Sequence, residues 1–226
     1  SKCMVNRLGP FLAELISENQ SALVPGRLIT DNSIIAFECI HHIQSLKENS
    51  PAFCAYKLDL SKAYDRVDWV FLEKALRKWG FSQFWISRVM ACVSSVKYSV
   101  KFNGKLLETF TPSRGLRQGD PLSPFLFLFA ADALSALINR SMAEDGLKGV
   151  KICRAAPEIS HLLFADDSLL FFQASEQQAN LVKVLLNTYA AATCQLINPS
   201  KCSILFSDHC LPTIASEVKR VLEITQ

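Results

Sequence analysis

Helical and strand-like stretches follow one another in this chain without regular βαβ alternation, which predicts an α+β fold. Three observations carry that reading. Apolar residues recur at helical spacing in several stretches, the longest running from Ser123-Pro124 to about Met142. Val96, Tyr98, Val100 and Phe102 alternate with Lys97, Ser99 and Lys101, and Asn103-Gly104 follows, a pair that accepts the positive φ of a tight hairpin turn. Two short Leu- and Phe-rich runs flank Ala165-Asp166-Asp167, which reads as two buried strands joined by an acidic turn.

The elements follow in order. The chain opens in a helix carrying Val5, Leu8, Leu12, Leu15 and Ile16, and ends in another carrying Ile214, Val218, Val221 and Leu222, so both ends read as cut from a longer protein. Val24-Pro25-Gly26-Arg27 is turn chemistry. Thr30 or Asp31 can cap the next helix, with Ile35, Cys39, Ile43 and Leu46 on one face. Residues 53–60 read as a strand. Asp68 caps a helix with Phe71, Ala75, Leu76 and Trp79, stopped by Gly80, and a further helix covers about 84–93. The hairpin's second strand is expected over 105–111, and Ser123 then caps the long apolar helix with Pro124 at its first position. Residues 150–153 read as a short strand. Leu181, Val184, Leu185 and Ala192 mark a helix after the acidic hairpin, and a last strand over 203–206 follows the Asn198-Pro199 turn.

With 226 residues, half of them hydrophobic, the chain can bury a sizeable core in one large domain or two small ones. A formal net charge of +3 does not by itself indicate a nucleic-acid partner. The longest apolar run, residues 125–138, is broken by Asp132 and reads as a buried helix, so no membrane partner is expected. None of the 8 cysteines form a CxxC pair, and most sit in apolar surroundings, which points to free thiols in a reducing compartment. Cys202, His209 and Cys210 are close in sequence, but a zinc site needs a fourth ligand at a credible spacing.

Three stretches carry chemistry. Asp166 and Asp167 repel one another unless something positive lies beside them, and a divalent cation with hard oxygen ligands would do so; an ordinary hydrophilic turn is the other reading. Leu58 and Leu60 face one side of a strand, so Asp59 projects from the other; Asp59 and Asp65 also read as surface acids flanking a helix start. In residues 112–124 two Gly, two Arg and a Gln precede a helix N-terminus, where backbone can approach a ligand and arginine can grip phosphate; a Pro/Gly loop with solvated arginines is the plainer reading.

Taken in order, Asp59 with Ala63-Tyr64-Asp65, then Gly115-Leu116-Arg117-Gln118-Gly119-Asp120-Pro121-Leu122-Ser123-Pro124, then Phe164-Ala165-Asp166-Asp167, then Asn198-Pro199-Ser200-Lys201, closely resemble the reverse transcriptase domain of non-LTR (LINE-type) retrotransposons. Asn19-Gln20-Ser21-Ala22-Leu23-Val24-Pro25-Gly26-Arg27 is similar to the fingers segment of plant elements. The resemblance implies a polymerase palm, an antiparallel sheet backed by helices, with part of the fingers. Residues 1–52 would be partial fingers and 53–226 palm, with finger elements inserted around 81–111 and no thumb.

It further implies an RNA-directed DNA polymerase that adds deoxynucleotides to a primer by two-metal phosphoryl transfer. The expected cofactor is a pair of Mg²⁺ ions, with Mn²⁺ as an alternative; the expected partners are an RNA template, a DNA primer and dNTP, in the nucleus and cytoplasm. Asp59, Asp166 and Asp167 would bind the metals, with Asp166 on both ions and Asp167 the more peripheral acid. Tyr64 matches a gate under the incoming sugar, although a core aromatic is the plainer role. Leu60, Arg117, Gln118 and Gly119 match nucleotide-binding positions, Lys201 a general acid for pyrophosphate, and Arg27 a fingers residue near template or triphosphate. Cys194 stands where the family often has Gly, so the turn after it is expected to differ. An RNA-templated RNA polymerase is the nearest alternative, since Asp59 and Asp65 also fit its motif; Tyr64 and Phe164-Ala165 argue for DNA synthesis. A catalytically inactive nucleic-acid-binding palm is the other, and the intact acids weigh against it.

Overall fold

The computed structural model describes residues 1–224. The opening helix breaks at Gly9-Pro10 into α1 (Lys2–Leu8), a 3-10 turn (Gly9–Phe11) and α2 (Leu12–Leu15), because proline cannot continue the helical hydrogen bonding. Then come α3 (Ile29–Ser45), β1 (Phe53–Leu58), α4 (Ala63–Arg66), α5 (Trp69–Lys78) and α6 (Gln83–Ser94). A small hairpin, β2 (Lys101–Phe102) and β3 (Lys105–Leu106), leads to α7 (Ser123–Ala143). The chain closes with β4 (His161–Phe164), β5 (Asp167–Gln173), α8 (Glu176–Thr193), β6 (Ser203–Phe206) and α9 (Pro212–Leu222).

Four strands form one antiparallel sheet in the order β4-β5-β1-β6. Strand alternation splits its side chains between two cores. Tyr56, Leu58, Leu170 and Phe172 point to one face and pack with Leu134 and Ile138 of α7, Val182, Leu186 and Tyr189 of α8, and Val218 of α9. Ala55, Leu162 and Phe171 point to the other face and meet Cys39 and Ile43 of α3. Helix α3 therefore shares a core with the sheet, although its residues lie in the segment expected to be fingers. A third core joins α1, α2, α5, α6 and the first half of α7 through Leu12, Leu72, Ile86, Phe127 and Phe129. By length and composition α7 is apolar enough to cross a membrane, but most of it is buried among these helices and the sheet.

Several expectations shift. Asp31 is the third residue of α3, not its cap; its carboxylate accepts the Leu28 N–H at 2.8 Å from inside the first turn. Ser123 is inside α7 and Leu122 is the flanking residue, because Asp120 Oδ1 takes the Leu122 N–H at 2.8 Å and starts the turn one residue early. The alternating hairpin pairs over only two residues on each side, plus a bridge between Tyr98 and Phe110, because its side chains face solvent and no core draws the ladder out. Its turn is as expected, with Asn103 and Gly104 at φ 46° and 82°. Residues 150–153 contribute a single bridge, Val150 to Ile159, in place of a strand. Helix α8 buries Ala179, Val182, Leu186 and Tyr189, whereas Val184 is exposed; the inward face is rotated from the Leu181–Val184–Leu185 stripe because α7 and α9 flank it together.

His161 lies fully buried on β4, its ring nitrogens each 2.9 Å from a hydroxyl, Ser160 Oγ and Ser135 Oγ. Burial holds its pKa down at about 4, below the ordinary 6.5. The unfolded chain thus binds a proton between pH 6.5 and 4 that the folded chain refuses. Stability is fully present above pH 6.5 and falls as pH drops toward 4, by up to about 3 kcal/mol at ~1.4 kcal/mol per pH unit. Denaturant midpoints of His161→Gln, which keeps hydrogen-bonding atoms without titrating in this range, are expected to lose much of this slope; an unchanged slope would place its origin elsewhere.

Candidate active site

The β1–β5 ladder runs from Phe53↔Gln173 to Leu58↔Ser168. One further step in that register sets Asp59 beside Asp167, the first residue of β5. Asp166 stands in the two-residue turn between Phe164 and Asp167, which face each other across β4 and β5. Three carboxylates thus share one end of the two central strands. Asp59 is half-buried between the packed Leu58 and Leu60, and Asp166 and Asp167 are exposed. Asp166 also lies close enough to Tyr64 to add, after burial, to the raised pKa of its phenol.

The donors suit Mg²⁺ or Mn²⁺ in kind, being hard oxygens at a solvent edge where water can complete the coordination. They are not gathered into a ready cage: among the described residues no three His, Cys, Asp or Glu side chains converge closely enough to hold an ion.

Two neighbours fix the backbone of Asp59. Its C=O accepts the Asn198 N–H at 2.9 Å, and its N–H points to the buried Cys202 Sγ at 3.4 Å. Both partners belong to the turn before β6, which also carries the exposed Lys201 and closes by Lys201 N–H to Asn198 C=O at 3.0 Å. Leu60 bridges Ile197 on the same side. This turn follows Cys194, the left-handed end of α8 at φ 60°. A glycine would take that conformation without strain, so Cys194 holds it at an energetic cost.

Residues 112–122 are tied to the segment after Asp59. Gly115 N–H donates to Val67 C=O and Leu116 N–H to Tyr64 C=O, both at 2.8 Å, and Trp69 Nε1–H donates to Gly115 C=O at 2.7 Å. Gly115 is at φ 91°, and a Cβ there would stand 2.7 Å from Asp65 C=O, so no other residue fits. The Tyr64 ring is half-buried and stacks on Phe127 at 4.7 Å. Arg117, Gln118 and Gly119 are exposed, and Arg117 and Gln118 line a cleft of about 620 Å³ with Asp65, Tyr98, Phe110 and Arg114.

Arg27 is turned onto its own loop. Its Nη1 donates to Ser17 and Gln20 C=O at 2.5 and 2.6 Å, and its Nη2 to Ile16 and Ala13 C=O at 2.8 and 3.1 Å. Both terminal nitrogens are thereby committed to closing the loop over residues 13–27. The resemblance marks residues 19–27 as a fingers segment but does not say what its polar side chains hold. Asn19 C=O accepts the Leu163 N–H at 2.8 Å, and Ser21 N–H donates to Leu163 C=O at 3.2 Å, so residues 19–21 run along the free edge of β4. Asn32 Nδ2 joins them by donating to Leu163 and Asn19 C=O at 2.7 and 2.8 Å. The buried Gln20 side chain reaches the acidic turn itself. The sequence signals were the fingers-like segment 19–27 and the turn chemistry of 24–27, neither of which names a backbone partner.

A family model described as "Reverse transcriptase (RNA-dependent DNA polymerase)" matches residues 1–220. The chain belongs to the reverse transcriptase family. It is 30% identical over 205 residues to the transposon TX1 uncharacterized 149 kDa protein of Xenopus laevis, covering 90% of this chain and 15% of that protein. It is 31% identical over 175 residues to the Pol polyprotein of the type-2 retrotransposable element R2DM of Drosophila melanogaster, covering 74% of this chain and 15% of that protein. These relatives place the reverse transcriptase domain with those of non-LTR retrotransposons. The fold matches telomerase from Candida tropicalis, solved in complex with a TWJ fragment of telomeric RNA, at a TM-score of 0.63 and 12% identity over 92% of this chain and 32% of that one. This reverse transcriptase chain spans under a sixth of the length of either curated relative.

Replacing Cys194 by glycine removes the left-handed strain. The variant is expected to gain about 0.5–1 kcal/mol and ~2 °C in Tm. Thermal unfolding checks this, and an unchanged or lowered Tm would show that the thiol's packing outweighs the strain.

Proposed function

We propose that this domain copies an RNA template into DNA by adding deoxynucleotides to a primer 3′ end. The observation that carries the proposal is the placement of Asp59, Asp166 and Asp167 at one end of β1 and β5, within a chain of the reverse transcriptase family. The telomerase of like fold, solved with telomeric RNA, supports RNA as a partner.

In this reading Asp59, Asp166 and Asp167 hold the two divalent ions. When bound, those ions supply the charge stabilisation of phosphoryl transfer and acidify the attacking hydroxyl. Everything else falls to the chain. The Asn198–Cys202 turn sets the backbone from which Asp59 projects. Tyr64, held from behind by Phe127 and by its C=O bond to Leu116, presents a rigid edge near Asp166, where a ribose 2′-hydroxyl would collide and a deoxyribose would fit. In this reading Leu60, Arg117, Gln118 and Gly119 would line the nucleotide; the exposed guanidinium of Arg117 is free to approach phosphate, and Gly119, at φ 86° with open space around it, lets backbone come close to nucleotide or template. Lys201, exposed in the turn bonded to Asp59, can deliver a proton to departing pyrophosphate. We further place the protein in the nucleus or cytoplasm, where its eight free cysteines stay reduced.

In the full polypeptide, Asp166→Asn is expected to lower Mg²⁺-dependent primer extension at least ~10²-fold, since losing an ion ligand forfeits several kcal/mol of transition-state stabilisation. Template–primer affinity should stay close to that of the parent, and the parent should prefer dNTP to rNTP. Near-parental extension by the variant, or a preference for rNTP, would contradict the proposal.

A further inference from the structure

We propose that Gln20 is a positioning residue for Asp166, its buried side-chain amide setting the Ala165 peptide and so the direction in which Asp166 presents its carboxylate. This rests on the role given to Asp166 above. The turn that carries Asp166 has only two residues, and the ladder fixes Phe164 and Asp167 on either side of it without fixing the peptide between them. That peptide is strained: Ala165 has φ 55°, left-handed backbone that a residue with a Cβ adopts only when its surroundings hold it there.

Gln20 supplies the hold. Its Oε1 accepts the Ala165 N–H at 3.0 Å, and its Nε2 lies 3.5 Å from Ala165 C=O, so one side chain addresses both polar groups of the strained residue. The same Oε1 accepts the Ala22 N–H at 3.0 Å, which stops the amide from swinging away. The backbone of Gln20 is itself anchored, by its bridge to Leu163 and by the Arg27 guanidinium on its C=O at 2.6 Å. Gln20 is fully buried. Packing alone would be served as well by leucine or methionine, whereas a buried amide is stable only where its hydrogen bonds are made. The side chain thus acts as one more peptide unit beyond the edge of β4, and the Arg27 clamp serves the acidic turn through it.

The test compares the parent, Gln20→Met, Gln20→Glu and Asp166→Asn in the full polypeptide. Single-turnover primer extension on an RNA template is measured across Mg²⁺ concentrations, together with template–primer affinity and thermal unfolding. Methionine fills the volume without bonding either N–H; glutamate keeps an acceptor for both. Gln20→Met is expected to slow extension ~10- to 100-fold, the scale on which a misplacement of about 1 Å acts, and to raise the Mg²⁺ needed for half-maximal rate. It should still unfold cooperatively and bind template–primer as the parent does, and Gln20→Glu should recover most of the rate. A Gln20→Met variant matching an active parent in rate and Mg²⁺ requirement overturns the proposal alone. So does a loss that only tracks the folded fraction and that glutamate does not relieve. An inactive parent, or an Asp166→Asn variant as active as the parent, overturns the polymerase reading and this proposal with it.

Discussion

The antiparallel pairing of β1 with β5 is the contact on which the rest of the molecule depends. Six residue pairs, from Phe53↔Gln173 to Leu58↔Ser168, bring together chain segments that the whole of α4 to β4 separates. Closing such a loop costs entropy, and the ladder returns it through two buried faces at once. Tyr56 and Phe172 enter the core under α7, α8 and α9, while Ala55 and Phe171 enter the core under α3. With both faces filled, slipping the register by one residue would exchange the two sets of side chains, so the register is strongly specified. That same register decides which residues emerge at the end of the strands, and they are the acids.

A second layer of polar contacts turns this placement into a defined edge. On one side the Asn198–Cys202 turn bonds both backbone groups of Asp59. On the other, residues 19–21 and Asn32 satisfy the outer edge of β4. The loop that supplies those contacts is closed by Arg27 and fastened to α7 where Asp132 Oδ1 accepts the Ser17 N–H at 3.0 Å. Asp132 interrupts the longest apolar run, residues 125–138, and burial raises its pKa while its hydrogen bonding to Ser17 and the Arg27 charge oppose the rise. The edge is thus held from two directions by groups that are themselves buried or bonded, which is what a site for charged ligands needs if its carboxylates are to be pre-placed against their own repulsion.

Much of this was legible in the sequence where one physical signal dominates. Short β-prone apolar runs bounded by turn residues marked β1, β5 and β6 closely, and Asp68 and Gly80 bounded α5 as their chemistry dictates. Asp59 stood out because it falls between two leucines of a strand. Legibility failed where tertiary partners choose. The inward face of α8 depends on α7 and α9 together, and no periodicity in one helix reports that. The basic alternating hairpin has strand chemistry but no surface to pack on, so its ladder stays short. The roles of Asn19, Gln20 and Asn32 stayed hidden, because their partners are backbone groups of β4 and of the acidic turn, distant in sequence and silent in composition. Arg27 was legible as a residue of note, but its carbonyl partners could not be read from a turn motif.

The central claim is that Asp59, Asp166 and Asp167 form one divalent-ion site. Electron paramagnetic resonance of Mn²⁺ titrated into the full polypeptide with template–primer and nucleotide tests it most directly. The account predicts two spin-coupled ions per chain, ~3.5–4 Å apart, with the coupling lost in Asp59→Asn and in Asp166→Asn. Manganese that binds singly, or a coupled pair that survives both substitutions, would contradict it.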